Sequence, residues 1–192
     1  MTVETLKNGI AVHLREPTLD DVDRLRQFFL SLPEEDRRYL RVDVTRRDVV
    51  EQRIRQAQAG EVYRLLALAE DDVIAVGGLE RFADSWKRHL AEIRVIVGPA
   101  HRSQRLGAML VGKLFRVAQA RGIEQVVVKA AAPQVAARKI CERLGFHVDA
   151  VLPKHVKDTT GELHDMLIMR CTLDEMWREL KDFYKADDWP DG

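Results

Sequence analysis

The stretch from Glu92 to Phe115, EIRVIVGPAHRSQRLGAMLVGKLF, constrains the chain most, because it joins a strand to a helix through a loop rich in hydrogen-bond donors. Its first half is apolar and β-branched. Gly98-Pro99 ends it, and Leu106, Leu110, Leu114 and Val117 then recur at helical spacing. Such a junction turns unpaired backbone N–H groups outward at the positive end of a helix dipole, a setting that favours an anion. The charge pattern agrees. From Ile93 to Ile123 there is no Asp or Glu, whereas the average acid content of the chain would place about five there, and Arg94, Arg102, Arg105, Lys113, Arg116 and Arg121 all fall inside. A phosphate-bearing ligand at this loop is the first expectation.

A chain of 192 residues fits one domain and can bury a core without help from metal or disulfides. Its charges balance to a formal net of zero, so general affinity for nucleic acid or anionic membrane is not expected, and the basic stretch is local. Cys141 and Cys171 show no metal spacing and suit a reducing cytoplasm. The histidines His13, His89, His101, His147, His155 and His164 are scattered, and no metal site is expected. No apolar run is long enough to span a membrane, and MTVETLKNGIAVHLRE lacks the basic start and apolar core of a signal peptide. The expected location is cytoplasmic.

Taken in order, Ile10 to Arg15 alternates as a half-buried strand after the Asn8-Gly9 turn. Thr18 with Asp21 opens a helix running to Leu32, a turn and connector follow, and Thr45 with Asp48 is expected to cap a second helix that Gly60 ends. YRLLALA and VIAVGGLERF read as a hairpin, and Leu90 to Val97 as the next strand. Gly107 to Arg121 is a third helix, Gln125 to Ala130 a buried strand, and Pro133 to Gly145 a fourth helix, followed by the strands FHVDAVL and HDMLIMRC. Thr172 and Glu175 form a capping box for a last helix with Met176, Trp177, Leu180, Phe183 and Tyr184 on its apolar face, and the KADDWPDG tail frays. This helix covers either the chain's own core or a second subunit in a homodimer. Periodicity alone gives an α/β fold, a mixed sheet flanked by helices.

The loop and its strand resemble the acetyl-CoA motif of the GNAT superfamily of N-acetyltransferases, hydrophobic-x-Val-x-Pro-x-x-Arg/Gln-x-x-Gly-x-Gly/Ala. Val95, Val97, Pro99, Arg102 and Gly107 stand at matching offsets, Ala108 continues into the helix, and Arg105 occupies the place of the first glycine. The fourth helix is similar to the family's Asn-x-x-Ala-x-x-Phe/Leu-Tyr-Glu-x-Leu-Gly-Phe through Gln134, Ala137, Ile140, Glu142, Leu144, Gly145 and Phe146, with Cys141 in place of the tyrosine. The resemblance covers about Ile10 to Cys171. It implies the GNAT acyl-CoA N-acyltransferase fold, mostly antiparallel, in a domain of residues 1–171, with residues 172–192 as a helical extension of the same domain. The opening LREPTLDDVDRLRQFFLSLPEEDRRYLR and the strand AEIRVIV further resemble bacterial protein-lysine acetyltransferase domains, alone or fused to acyl-CoA synthetase-like modules.

The resemblance implies acetyl-CoA as cofactor, with backbone groups of Val95, Ile96 and Val97 along its pantetheine arm. Arg102, Ser103, Gln104, Arg105, Leu106, Gly107 and Ala108 lie around its pyrophosphate, and Gln134 and Ala137 lie on the fourth helix. The acceptor is a primary amine: a protein lysine, an N-terminus or a small molecule. Its proton needs a base, and Glu92, flanked by apolar residues on the strand entering the loop, is the first candidate, with Glu80 the second. Cys141 is the candidate acid, since an unperturbed thiol has a pKa of about 8.5 against about 10 for a phenol. The alternative reading is a non-catalytic CoA or acyl-CoA sensor. It is prompted by the replacements at Arg105 and Cys141. An arginine at position 105 is costly if the backbone there needs positive φ.

Overall fold

The computed structural model describes residues 2–82 and 85–183. In chain order the strands are β1 (Thr2–Thr5), β2 (Ala11–Arg15), β3 (Val62–Ala69), β4 (Asp72–Arg81), β5 (Leu90–Val97), β6 (Gln125–Ala131), β7 (His147–Lys157) and β8 (Leu163–Thr172). The helices are α1 (Val22–Ser31), α2 (Glu34–Arg37), α3 (Arg47–Gln58), α4 (Leu106–Ala120), α5 (Val135–Arg143) and α6 (Leu173–Phe183). The strands form a mixed, mostly antiparallel sheet in the order β1-β2-β3-β4-β5-β6-β8-β7, with β5 and β6 parallel. The chain clusters into two compact units: residues up to Arg81 with Ile93–Leu114, and Phe82–Glu92 with the residues from Phe115 on. Asp84, Tyr184, the KADDWPDG tail and the side chain of Phe183 lie outside what is described.

In the first unit the Asn8-Gly9 turn closes a hairpin. Gly9 has φ +84°, which glycine adopts without steric cost, and Thr2–Thr5 pairs antiparallel with Ala11–Leu14. That first strand was not expected, because four residues reading TVET carry no apolar alternation. The apolar run of β3 is continuous because both of its faces are covered. Leu66 and Leu68 pack with Val22, Leu25, Phe28, Val50 and Ile54, whereas Leu65 and Ala67 pack with Ile74, Leu106 and Leu110. Each such leucine, valine, isoleucine or phenylalanine contributes about 1.5–3 kcal/mol by burial.

Asp21 is fully buried and holds the start of the first helix. Its carboxylate accepts two 2.6 Å bonds from the Arg15 guanidinium and one of 2.8 Å from the Thr18 amide. Burial alone raises such a carboxyl, yet the bonds from Arg15 and Thr18 hold it below the usual range. The expected Thr45 and Asp48 cap is not formed. Asp43 accepts from the Thr45 amide at 3.1 Å and Asp48 pairs with Arg46, so a local Asx-type turn takes the cap's donors and α3 begins at Arg47.

In the second unit, β6 pairs with the N-terminal part of β5 and with β8, and β7 forms a long hairpin with β8. The hairpin reaches Lys157 and resumes at Leu163, so much of the expected KHVKDTTGEL loop is strand. The capping box at α6 is present: Thr172 N–H and Oγ donate to Glu175 at 2.9 and 2.7 Å, and Glu175 N–H donates to Thr172 Oγ at 3.2 Å. Met176 and Leu180 are fully buried, and Trp177 stacks on Phe115 with ring centroids 5.5 Å apart. The last helix therefore covers the core of its own unit. Gly145 must be glycine here: φ is +84°, and a Cβ would stand 3.2 Å from Glu179 Cγ and 3.3 Å from Cys171 Sγ.

Candidate functional site

The strand-to-helix junction of the first unit has the form that the sequence predicts. Gly98 N–H donates to Ile74 O at 2.9 Å as β5 ends, and Pro99–His101 make one 3-10 turn. Arg105 O then accepts from Met109 N–H at 3.0 Å, which makes Arg105 the residue capping α4. The N–H groups of Leu106, Gly107 and Ala108 consequently have no carbonyl within the helix and face its open end. Leu106 buries its side chain in the core, so only its backbone is on offer.

Two loop residues other than glycine sit in the left-handed region, Ser103 at φ +61° and Arg105 at φ +66°. The arginine thus stands at a position where glycine is the unstrained choice, at a cost of about 1–2 kcal/mol. Gly107 presents the opposite case. Its φ is not positive, and a Cβ built on it would meet only Val97 Cγ2, at 3.6 Å, an ordinary contact. Nothing in the folded chain demands glycine there; what the missing side chain leaves open is the space beside the free amides. A phosphate group fits that cradle.

Arg102 is exposed but not free. Its Nε donates to Val97 O at 3.2 Å, and its guanidinium pairs with Asp36 of α2. Val95 and Val97 turn toward the face that holds α4, whereas Ile96 turns toward the face that holds α1. Ser103 is exposed, and Gln104 and Ala108 are half-buried.

In the second unit Glu92 is 5% exposed, and Lys129 Nζ stands 3.1 Å from its Oε2. The parallel ladder explains the pairing: Glu92 lies opposite Val127, and Lys129 follows two residues along the same face. Lys129 also lies over the Phe82 ring at 5.4 Å. This lysine was not among the residues expected from sequence, although a lone cation in the buried strand QVVVKAA is the kind of signal that marks a charge with a partner. Glu80 belongs to the first unit and is exposed near the end of β4.

On α5, Cys141 is half-buried, and burial, reinforced by the Glu142 charge, pushes its thiol up to about 11. That removes the advantage over a phenol expected from the unperturbed value. Gln134 turns its Oε1 onto the Ala131 amide at 2.9 Å, and Ala137 is exposed. At the β7–β8 turn, ligating atoms of Asp158, Glu162 and His164 lie within 4.8 Å of one another. The Asp158 carboxylate already accepts from His164 at 2.9 Å, from Thr160 Oγ at 2.7 Å and from the Thr160 and Glu162 amides, so the cluster accounts for itself as a turn. His155 and Trp86 are exposed.

A mixed sheet of this order with an anion cradle between β5 and α4 defines an acyl-CoA N-acyltransferase type of fold, and solved structures agree. The ribosomal L7/L12 alpha-N-protein acetyltransferase RimL, in complex with coenzyme A, matches with a TM-score of 0.73 at 18% identity, covering 85% of this chain and 95% of that one. The ribosomal-protein-alanine N-acetyltransferase of Brucella melitensis matches at 0.68 and 20%, covering 83% and 99%. The protein yncA of Salmonella typhimurium, solved with its cofactor acetyl-CoA, matches at 0.66 and 22%, covering 92% and 98%. The chain belongs to the acetyltransferase (GNAT) family, whose family model matches residues 24–146. A comparison with curated protein sequences finds no match.

Proposed function

We propose that this chain transfers the acetyl group of acetyl-CoA to a primary amine by direct attack. The observation that carries the proposal is the cradle at Leu106, Gly107 and Ala108: three amides without helix acceptors, beside a glycine that the fold itself does not require. In this reading those amides bind the pyrophosphate, Arg102 and Arg105 add charge around it, and the backbone of Val95, Ile96 and Val97 aligns the pantetheine arm. The amine lone pair attacks the thioester carbonyl carbon, the C–S bond breaks, and CoA leaves as thiolate.

The proton lost by the amine goes to the Glu92 carboxylate, directly or through water. Burial of Glu92 supports it over the exposed Glu80, and Lys129 holds the carboxylate in place. Burial raises the Cys141 thiol to about 11, a poorer acid than an ordinary thiol, which favours a reading in which the thiolate departs unassisted over one in which Cys141 protonates it. The acceptor class covers protein lysines, N-termini and small amines. A role as a bare CoA sensor, favoured by Arg105 and Cys141, predicts binding without turnover.

The test incubates the chain with acetyl-CoA and a panel of amines, peptides and whole proteins, and follows acetyl transfer by mass spectrometry. Acetylation that is lost in Gly107→Leu is the expected result. Tight binding of acetyl-CoA with no acetylated product on any acceptor supports the sensor, and absence of binding removes both readings.

A further inference from the structure

A cavity of about 360 Å³ in the first unit lies between α3 and the β3–β4 hairpin, and three arginines, Arg53, Arg64 and the exposed Arg81, line it together with the exposed Glu61 and Glu80. Arg53 comes from α3. Arg64 comes from β3, where the register sets it opposite Gly78 and sets Val62 opposite Glu80, so Arg64, Gly78 and Glu80 share one face. A Cβ on Gly78 would lie 3.5 Å from Arg64 Nη1, so the guanidinium rests over the glycine. Arg64 Nε donates to Arg53 O at 3.3 Å, which ties the strand to the helix, and among the described residues its two Nη groups have no hydrogen-bond partner.

Among the described residues no carboxylate lies within ion-pairing distance of Arg53 or Arg64, although Glu80 acts on both through its charge. Both are half-buried. Burial pushes Arg64 down to about 10, with the Arg53 charge adding to it, and burial lowers Arg53, with the Arg41 charge adding to it. Two half-buried cations in one cavity whose lining carboxylates, Glu61 and Glu80, stand beyond ion-pairing distance of them are unfavourable for the fold alone. The volume lies within the range of small-molecule sites, and a guanidinium fork matches a carboxylate or phosphate in two bonds at once.

We propose that this cavity binds a small carboxylate- or phosphate-bearing molecule through the guanidinium groups of Arg53 and Arg64, with Gly78 giving the room in which Arg64 presents its fork. The cavity shares no lining residue with the CoA cradle, and its existence does not depend on acetyl transfer. Two sources supply the anion: an acidic group on the amine acceptor, or a separate small anion that regulates the protein.

The experiment titrates the full chain calorimetrically with inorganic phosphate, citrate and glutamate, against chloride at equal ionic strength. Saturable binding of at least one of the three is expected. Arg53→Gln and Arg64→Gln each weaken it about tenfold or more, Glu80→Gln tightens it, and Arg55→Gln, on the exposed side of α3, leaves it unchanged. Arg53→Gln and Glu80→Gln move affinity in opposite directions, so loss of fold in one variant does not decide the outcome. No binding beyond the chloride control in the wild type, or equal loss in Arg55→Gln, overturns the proposal. Acetylation assays separate the sources. A KM raised by Arg53→Gln for amines bearing a carboxylate, and not for neutral amines, assigns the anion to the acceptor. A rate on neutral amines that responds to added phosphate or citrate assigns it to a regulator. An inactive protein that still binds the anion refutes the acetyl-transfer reading and leaves this site standing.

Discussion

Replacing Arg105 by glycine should stabilise the protein, although it removes a charged side chain from the loop. Its φ of +66° costs an L-residue about 1–2 kcal/mol, which glycine does not incur. Glycine returns part of that gain, about 0.4–1 kcal/mol, through the greater freedom of the unfolded chain. The net is about 0.5–1 kcal/mol, or an upward shift of about 1–4 °C in Tm for a chain of this length. Arg105→Ala separates backbone from side chain: it also deletes the guanidinium but keeps a Cβ in the left-handed region, so its Tm stays within about 1 °C of the wild type. Differential scanning calorimetry of the three proteins reads the difference directly. If alanine stabilises as much as glycine, or if glycine destabilises, the strain argument is wrong. Binding of acetyl-CoA in the same variants reads the other half. An exposed arginine contributing to phosphate binding gives a loss of a few-fold, shared by both variants and reduced by salt.

Gly107→Ala should fold normally, because its Cβ meets Val97 at contact distance, whereas Gly107→Leu should lose most acetyl-CoA affinity with a Tm little changed; calorimetric binding and unfolding measure the two separately. Cys141→Ala should keep kcat within a few-fold, and Cys141 should resist alkylation at neutral pH, since its thiol lies at about 11; labelling kinetics followed by mass spectrometry check this. Asp158 is held well below the usual carboxylate range, first by the His164 hydrogen bond and next by Thr160, so its folded value lies below its unfolded one. The stabilisation is therefore fully present above about pH 4 and fades as pH falls below that. Asp158→Asn should lower Tm at neutral pH and flatten the acid limb of the Tm profile.

Elements whose signal is local were legible in the sequence. Leu90 to Val97 carries six apolar residues around Glu92 and Arg94 and is closed by Gly98-Pro99, and its bounds are those of β5. The Thr172 and Glu175 box is met in its hydrogen bonds because both partners lie within one turn. Features set by tertiary geometry were not legible. The sign of φ at Arg105 depends on how the loop meets α4, and no residue type reveals it when the residue is arginine. Arg102 meets Asp36, which lies 66 positions away, and Lys129 meets Glu92 through a parallel register that periodicity does not determine. Arg53 and Arg64 read as polar positions on a helix and a strand, and only the pairing of Arg64 with Gly78 brings them to one cavity. The capping of α3 misled for a different reason: Thr45 and Asp48 fit the capping pattern, but Asp43 competes for the same donor from two residues away.

The chemistry proposed for this chain turns on one carboxylate that is buried against a lysine. Steady-state acetylation of the best acceptor by the wild type and by Glu92→Gln, with acetyl-CoA binding measured in parallel, tests it most directly. Loss of a proton acceptor at the amine predicts a fall of about 10²–10⁴ in kcat, with cofactor affinity unchanged. A kcat within threefold of the wild type would show that the amine loses its proton elsewhere, and would contradict the assignment of Glu92 as the base.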